Sequence, residues 1–111
     1  MDSILTSVKK MLGIDEAYTH FDMDLIMHIN STFMILHQMG VGPKSYFSIN
    51  GSDETWDDFI PEGQNIEGVK TYIYQKVRYI FDPPQSSAHM EALKNSIAEF
   101  EWRLYVASES V

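Results

Sequence analysis

The chain has 111 residues, enough for one domain with a single modest core, so one domain over 1–111 is the expectation. It is 44% hydrophobic and 22% charged, which excludes a disordered chain, and it has no run of about eighteen apolar residues that could span a membrane. Sixteen acids against eight bases leave a formal charge of -8, the wrong sign for a protein that grips phosphates, and the absence of cysteine excludes disulfides, thiolate metal sites and a thiol nucleophile.

The N-terminal residues Met1-Asp2-Ser3-Ile4-Leu5 lack the basic start and small-residue cleavage site of a signal peptide, so a cytoplasmic origin is expected. A first helix is predicted over 3–12, with Ile4, Leu5, Val8, Met11 and Leu12 on its apolar face. Gly13 is placed to stop it in the left-handed conformation. After a connector over 14–20, a second helix is predicted over 22–39. Asp22 suits its N-cap, Phe21 and Ile26 have the spacing of a hydrophobic staple, and Gly40 ends it.

Leu25, Ile26, Ile29, Phe33 and Leu36 share one face of that second helix. Met23, Met27 and Met34 form another stripe beside it. A surface helix needs one apolar face, so two faces place this helix at the centre of the core or against another chain. Methionine suits both: it fills cores, the favoured reading here, and it makes adaptable contact surfaces.

Over 40–55 the helical pattern breaks at Gly40, Gly42, Pro43, Asn50 and Gly51, with Tyr46-Phe47-Ser48-Ile49 the one candidate strand. A loop this long is unusual in a small domain without a task. Tyr46 and Phe47 look extraneous to the core, so the loop is a candidate docking arm unless it folds back. Thr55 then caps a short turn, Trp56–Phe59. The stretch 53–67 holds six acids (Asp53, Glu54, Asp57, Asp58, Glu62, Glu67) and no base. It reads as a solvated loop, or as a surface that repels DNA or meets a basic partner.

A third long helix is predicted over 65–82, because Ile66, Val69, Ile73, Val77 and Ile80 step by three and four and Pro83 disfavours helix before it. A last helix follows a serine N-cap, its stripe running through Met90, Leu93, Ile97, Phe100 and Leu104, with Leu93 and Phe100 expected to be buried. Glu99 stands four residues before Arg103, the favourable order for an ion pair. This terminal hairpin is the expected organiser of the chain. The fold class is all-α, a small bundle of about four helices with one long loop between the second and third long helices.

Catalysis finds no support. His28 and His37 fall on opposite faces of one helix, and His20 and His89 stand at helix starts, so no metal site is expected. Asp57 and Asp58 are adjacent and diverge, there is no phosphate-binding glycine loop, and no serine lies in a nucleophile elbow. Asn30-Ser31-Thr32 matches a glycosylation sequon but sits mid-helix. Lys9-Lys10 is a lone basic pair, and no helix offers a basic recognition surface. No catalytic residue, cofactor or metal is therefore expected.

Several stretches together resemble one family. They are His20-Phe21-Asp22, Ile26-Met27-His28-Ile29-Asn30-Ser31, Gln38-Met39-Gly40-Val41-Gly42-Pro43, Trp56-Asp57-Asp58-Phe59, Phe81-Asp82-Pro83-Pro84 with Ser86-Ser87, and Glu99-Phe100-Glu101-Trp102-Arg103-Leu104. In this order, over nearly the whole chain, they resemble the head-tail connector (adaptor) proteins of long-tailed bacteriophages and prophages. The resemblance implies a non-enzymatic virion subunit, made in the host cytoplasm and placed at the head-tail junction. It implies a ring of about a dozen copies beneath the portal, built on heterologous contacts. That ring would extend the DNA channel and receive the next head-completion or tail protein.

On this reading Met23, Met27, Met34, Tyr46, Phe47 and Trp56 are the candidate interface residues. DNA would pass without specific binding, and no membrane is involved. The alternative is a small helical regulator that binds a partner through the same methionine face.

Overall fold

A computed structural model describes residues 2–60 and 66–109. Its first helix, α1 (Ile4–Met11), begins where the extended Ser3 accepts the Thr6 amide on its hydroxyl at 3.2 Å. That bond satisfies an amide with no partner inside the helix. At the far end Gly13 lies at φ 79°, and the amides of Gly13 and Ile14 return to the carbonyls of Lys10 and Lys9. This is a Schellman closure. The second helix, α2 (Asp22–Gln38), closes in the same way: Gly40 lies at φ 85°, and Gly40 and Val41 return to His37 and Leu36. Both glycine stops fall where the sequence predicts them.

The start of α2 differs. Phe21 holds the cap position with no side-chain bond, and Asp22 lies in the first turn. Its carboxylate is engaged by Lys9 at 2.9 Å. Lys9 is 2% exposed, and its ammonium also donates to the carbonyls of Glu16 (2.9 Å) and Tyr18 (2.7 Å). Its three N–H groups thus have three partners, which makes burying the charge tolerable. Half of the Lys9-Lys10 basic pair is therefore an interior pin that gathers the 14–20 connector.

Residues 40–55 fold back on the core. The Asn30 side chain donates to Ile49 O at 2.9 Å and accepts from Ile49 N at 2.8 Å, so one amide replaces a strand partner for a buried residue. Phe47 packs against Phe33 and Phe59, with ring centroids 5.0 and 5.4 Å away. Gly42, at φ 100°, lies under the Phe59 ring, where a Cβ would stand 2.6 Å from ring carbons. The candidate strand over 46–49 does not form, and the described residues hold no strand beyond a single bridge, Ser3 to Thr55. The short helix α3 (Trp56–Phe59) follows, capped as predicted, with the Asp58 carboxylate accepting the Thr55 amide at 2.9 Å.

The central element is α4 (Ile66–Phe81), which buries Val69, Tyr72, Ile73 and Val77. The expected start at Asn65 lies outside the described residues. α2 packs on α4, and so does the last helix, α5 (Ser87–Glu109). Phe21 at the start of α2 meets Phe81 at the end of α4 (5.1 Å), so these helices run antiparallel. Gln75 donates to Ser96 at 2.8 Å and Tyr72 to Glu101 at 2.7 Å, which sets α5 antiparallel to α4. Ile80, expected in the buried stripe, is 56% exposed. In that final turn Phe81 makes the contact instead.

α5 starts as expected, with the Ser86 hydroxyl accepting the His89 amide at 3.1 Å. Of its stripe, Ile97 and Leu104 are buried, whereas Met90, Leu93 and Phe100 are half-buried. The burial expected of Leu93 and Phe100 is thus partial, because α5 lies chiefly against one neighbour. The organiser is therefore α4, and α5 is its outer cover. The class is all-α, with five helices among the described residues.

Candidate functional site

Polar groups with internal partners are accounted for by the fold. The Tyr72 hydroxyl donates to Glu101 Oε2 at 2.7 Å, and Lys76 Nζ lies 3.8 Å from the same oxygen. Burial, then the Glu101 hydrogen bond and charge, push the Tyr72 pKa far above its ordinary value. It stays a neutral donor that ties α4 to α5. His20 packs edge-on to Phe21 (4.8 Å) and His37 to Tyr46 (6.1 Å). Among the described residues no three of His, Asp and Glu come together in a way that could hold a metal ion. No described helix is long and apolar enough to cross a membrane.

The acidic stretch divides in two. Asp53, Asp57 and Glu67 face solvent, while Glu54 accepts the Asn50 amide at 2.9 Å and Asp58 caps α3. Glu62 lies outside the described residues.

What remains is the outer surface of two helices. On α2, Met23, Met27 and Met34 are 83%, 58% and 46% exposed. The core reading of this stripe is therefore overturned. Leu25, Ile29, Phe33 and Leu36 fill the inner side, and the methionines lie roughly half a turn away. Tyr46, 52% exposed, borders the stripe: its hydroxyl donates to Asn30 O at 3.2 Å while its ring leans on His37.

The other two candidates point inward. Phe47 belongs to the Phe33–Phe59 cluster. Trp56 is 3% exposed, donates from Nε1 to Ser7 Oγ at 3.1 Å, and has the Lys70 ammonium 5.7 Å from its ring centroid. Its place is in the core, so it is removed from the candidate interface. Four of the six candidates thus come together on the outside of α2, and two are structural.

A second apolar face lies on α5, where Trp102, Tyr105 and Val106 are 65%, 46% and 41% exposed. The sequence reading passed over it. The signal was present: Trp102 stands roughly 200° around the helix from the buried Leu104, hence outward. Exposed aromatic and apolar residues grouped on one helix face mark a contact surface.

The class these features define is an all-α protein with apolar side chains exposed on the outer faces of two helices. A family model described as phage connector protein matches residues 4–111. With nearly the whole chain matched, this protein belongs to the phage connector family, a structural family of virus particles. No curated protein and no solved structure gives a significant match. Stretches quoted for the resemblance meet in space: Phe21 packs on Phe81, joining the His20-Phe21-Asp22 and Phe81-Asp82 stretches, and Gly42 lies under the Phe59 ring, joining the Gln38–Pro43 and Trp56–Phe59 stretches.

Proposed function

We propose that this chain is a head-tail connector (adaptor) subunit that assembles as a ring under the portal, prolongs the DNA channel and presents a platform to the next head-completion or tail protein. The observation that carries the reading is the pair of outward apolar faces, on α2 and on α5, in a member of this family. A free monomer has little reason to hold Met23 and Trp102 in water. A ring subunit needs two different contact surfaces, one for each neighbour.

The charge fits passage rather than binding of DNA. With a formal charge of -8 and Asp53, Asp57 and Glu67 in solvent, the subunit has few cations to neutralise phosphates. Duplex DNA then slides past without contacts that must be broken.

The test is to mix the purified chain with the portal protein of the same phage and image the complex. A closed annulus of this chain on one end of the portal is expected. A chain that stays off the portal and binds some other partner as a monomer would favour the regulator reading instead.

A further inference from the structure

We infer that Asn50-Gly51 is a self-modification site, at which the folded chain turns the Asn50 carboxamide into a carboxylate through a cyclic imide, with water as the co-reactant. The inference is independent of the ring reading and concerns the loop over 40–55.

The chain has four asparagines, and their surroundings separate them. Asn30 lies within α2, and its carboxamide is held at both ends by Ile49, at 2.9 and 2.8 Å. Asn95 is exposed but lies within α5, whose helical backbone engages the following amide and keeps it from bending back on the side chain. Asn65 lies outside the described residues. Asn50 alone among the described three is exposed, outside any helix and followed by glycine.

The reaction needs a backbone nitrogen that is free, unshielded and able to approach the side-chain carbonyl carbon. The Gly51 amide donates to no acceptor among the described residues. No side chain shields it, and a Cβ built at Gly51 would meet nothing within 4 Å. Glycine also gives the backbone freedom to turn that nitrogen toward Asn50. The residues just before it are tied down. The Asn50 amide donates to Glu54 Oε2 at 2.9 Å, and Ile49 is gripped by Asn30, so the turn stands on a fixed base.

The Gly51 nitrogen gives up its proton and bonds to Cγ of Asn50. The bond from Cγ to the side-chain nitrogen breaks, and that nitrogen leaves with the proton as ammonia. Water then opens the imide at either carbonyl, giving aspartate or isoaspartate at position 50. Either product makes the formal charge one unit more negative than -8 and adds a carboxylate to the turn that Glu54 closes. The Phe47 and Ile49 anchors precede the altered bond, so the aged chain stays folded.

The test is to incubate the folded, full-length chain in mildly alkaline buffer made with heavy-oxygen water and to follow its peptides by mass spectrometry. The peptide holding Asn50 should take up one heavy oxygen and split into two chromatographic forms, while those holding Asn30 and Asn95 stay unchanged. Circular dichroism should show unchanged helicity. Gly51 lies outside the left-handed region and has open space around it, so Gly51→Ala should fold normally and slow the change severalfold. Asn50→Gln should abolish it. An Asn50 peptide that stays unchanged in the folded chain overturns the inference, whether or not a urea-unfolded sample reacts. A Gly51→Ala rate equal to that of the wild type, or uptake at Asn95 as fast as at Asn50, overturns it equally.

Discussion

Residues 40–55 and α5 are the two long stretches added to the packing of α1, α2 and α4, and they are held in opposite ways. The loop has no regular backbone ladder, yet Ile49 is 1% exposed and Phe47 lies among rings. α5 is 23 residues of regular helix, yet Ile97 and Leu104 are its buried residues while Trp102, Tyr105 and Val106 stand in solvent. Backbone hydrogen bonding explains the contrast. A helix satisfies its own amides and carbonyls, so it can rest on one neighbour and keep an apolar face free. An irregular segment in the core must borrow partners, here the Asn30 amide and the Glu54 carboxylate. Regularity is therefore a poor guide to which part fills the core and which part keeps an apolar face in solvent.

The comparison can be broken first at α4, which serves both regions. Ile73→Asp places a charge where the side chain is fully buried. That costs several kcal/mol, comparable to the whole stability of a small domain. Circular dichroism should show an unfolded chain. A folded Ile73→Asp protein would mean that α4 is not the hub.

Within the loop, Phe47→Ser should lower stability in urea denaturation by about 2–3 kcal/mol, because it empties part of the Phe33–Phe59 cluster. Asn30→Ala should cost about 1–3 kcal/mol by leaving the buried Ile49 amide and carbonyl unpaired. If either variant melts like the wild type, the loop is not core.

A smaller effect sharpens the α5 side. The Tyr72 pKa is raised in the folded state by burial and by Glu101, so Tyr72 holds its proton longer when folded than when unfolded. Its contribution is fully present below the ordinary tyrosine value near 10 and is lost as pH rises above that value. Wild-type stability should therefore fall above about pH 10 more steeply than that of Tyr72→Phe, as read from urea midpoints across that range.

The smallest effects on folding belong to the exposed residues. Tyr46→Ser and Trp102→Ser should each shift stability by no more than about 0.5 kcal/mol in thermal melts. Trp102→Ser should nonetheless weaken assembly. Phe47 and Tyr46 are adjacent, so the gap between their effects reads directly which way the loop faces.

Much of the fold was legible in the sequence. Gly13 and Gly40 announce two helix ends because left-handed closure needs glycine, and Thr55 announces the start of α3 as a local cap. What was hidden was tertiary. Nothing local says that Asn30 will grip Ile49, nineteen residues away, or that Lys9 will turn inward to Asp22 and two carbonyls. Hence the sequence offers Phe47 and Trp56 as interface candidates, whereas the fold packs both against the core. The methionine stripe was visible by periodicity, but periodicity cannot distinguish a second core neighbour from a second chain. The outward aromatic face of α5 is visible in the same way, since Trp102 falls on the side of the helix away from the buried Leu104.

The most direct test of the account is the mass distribution of the wild-type chain measured by sedimentation velocity over a wide concentration range, alone and with the portal. A head-to-tail contact between two different faces cannot stop at two copies. The account predicts growth from monomer to one closed multi-subunit species, with no stable dimer, and loss of that species in Trp102→Ser at unchanged helicity. A distribution that ends at the dimer, or a monomer at every concentration with and without the portal, would contradict it.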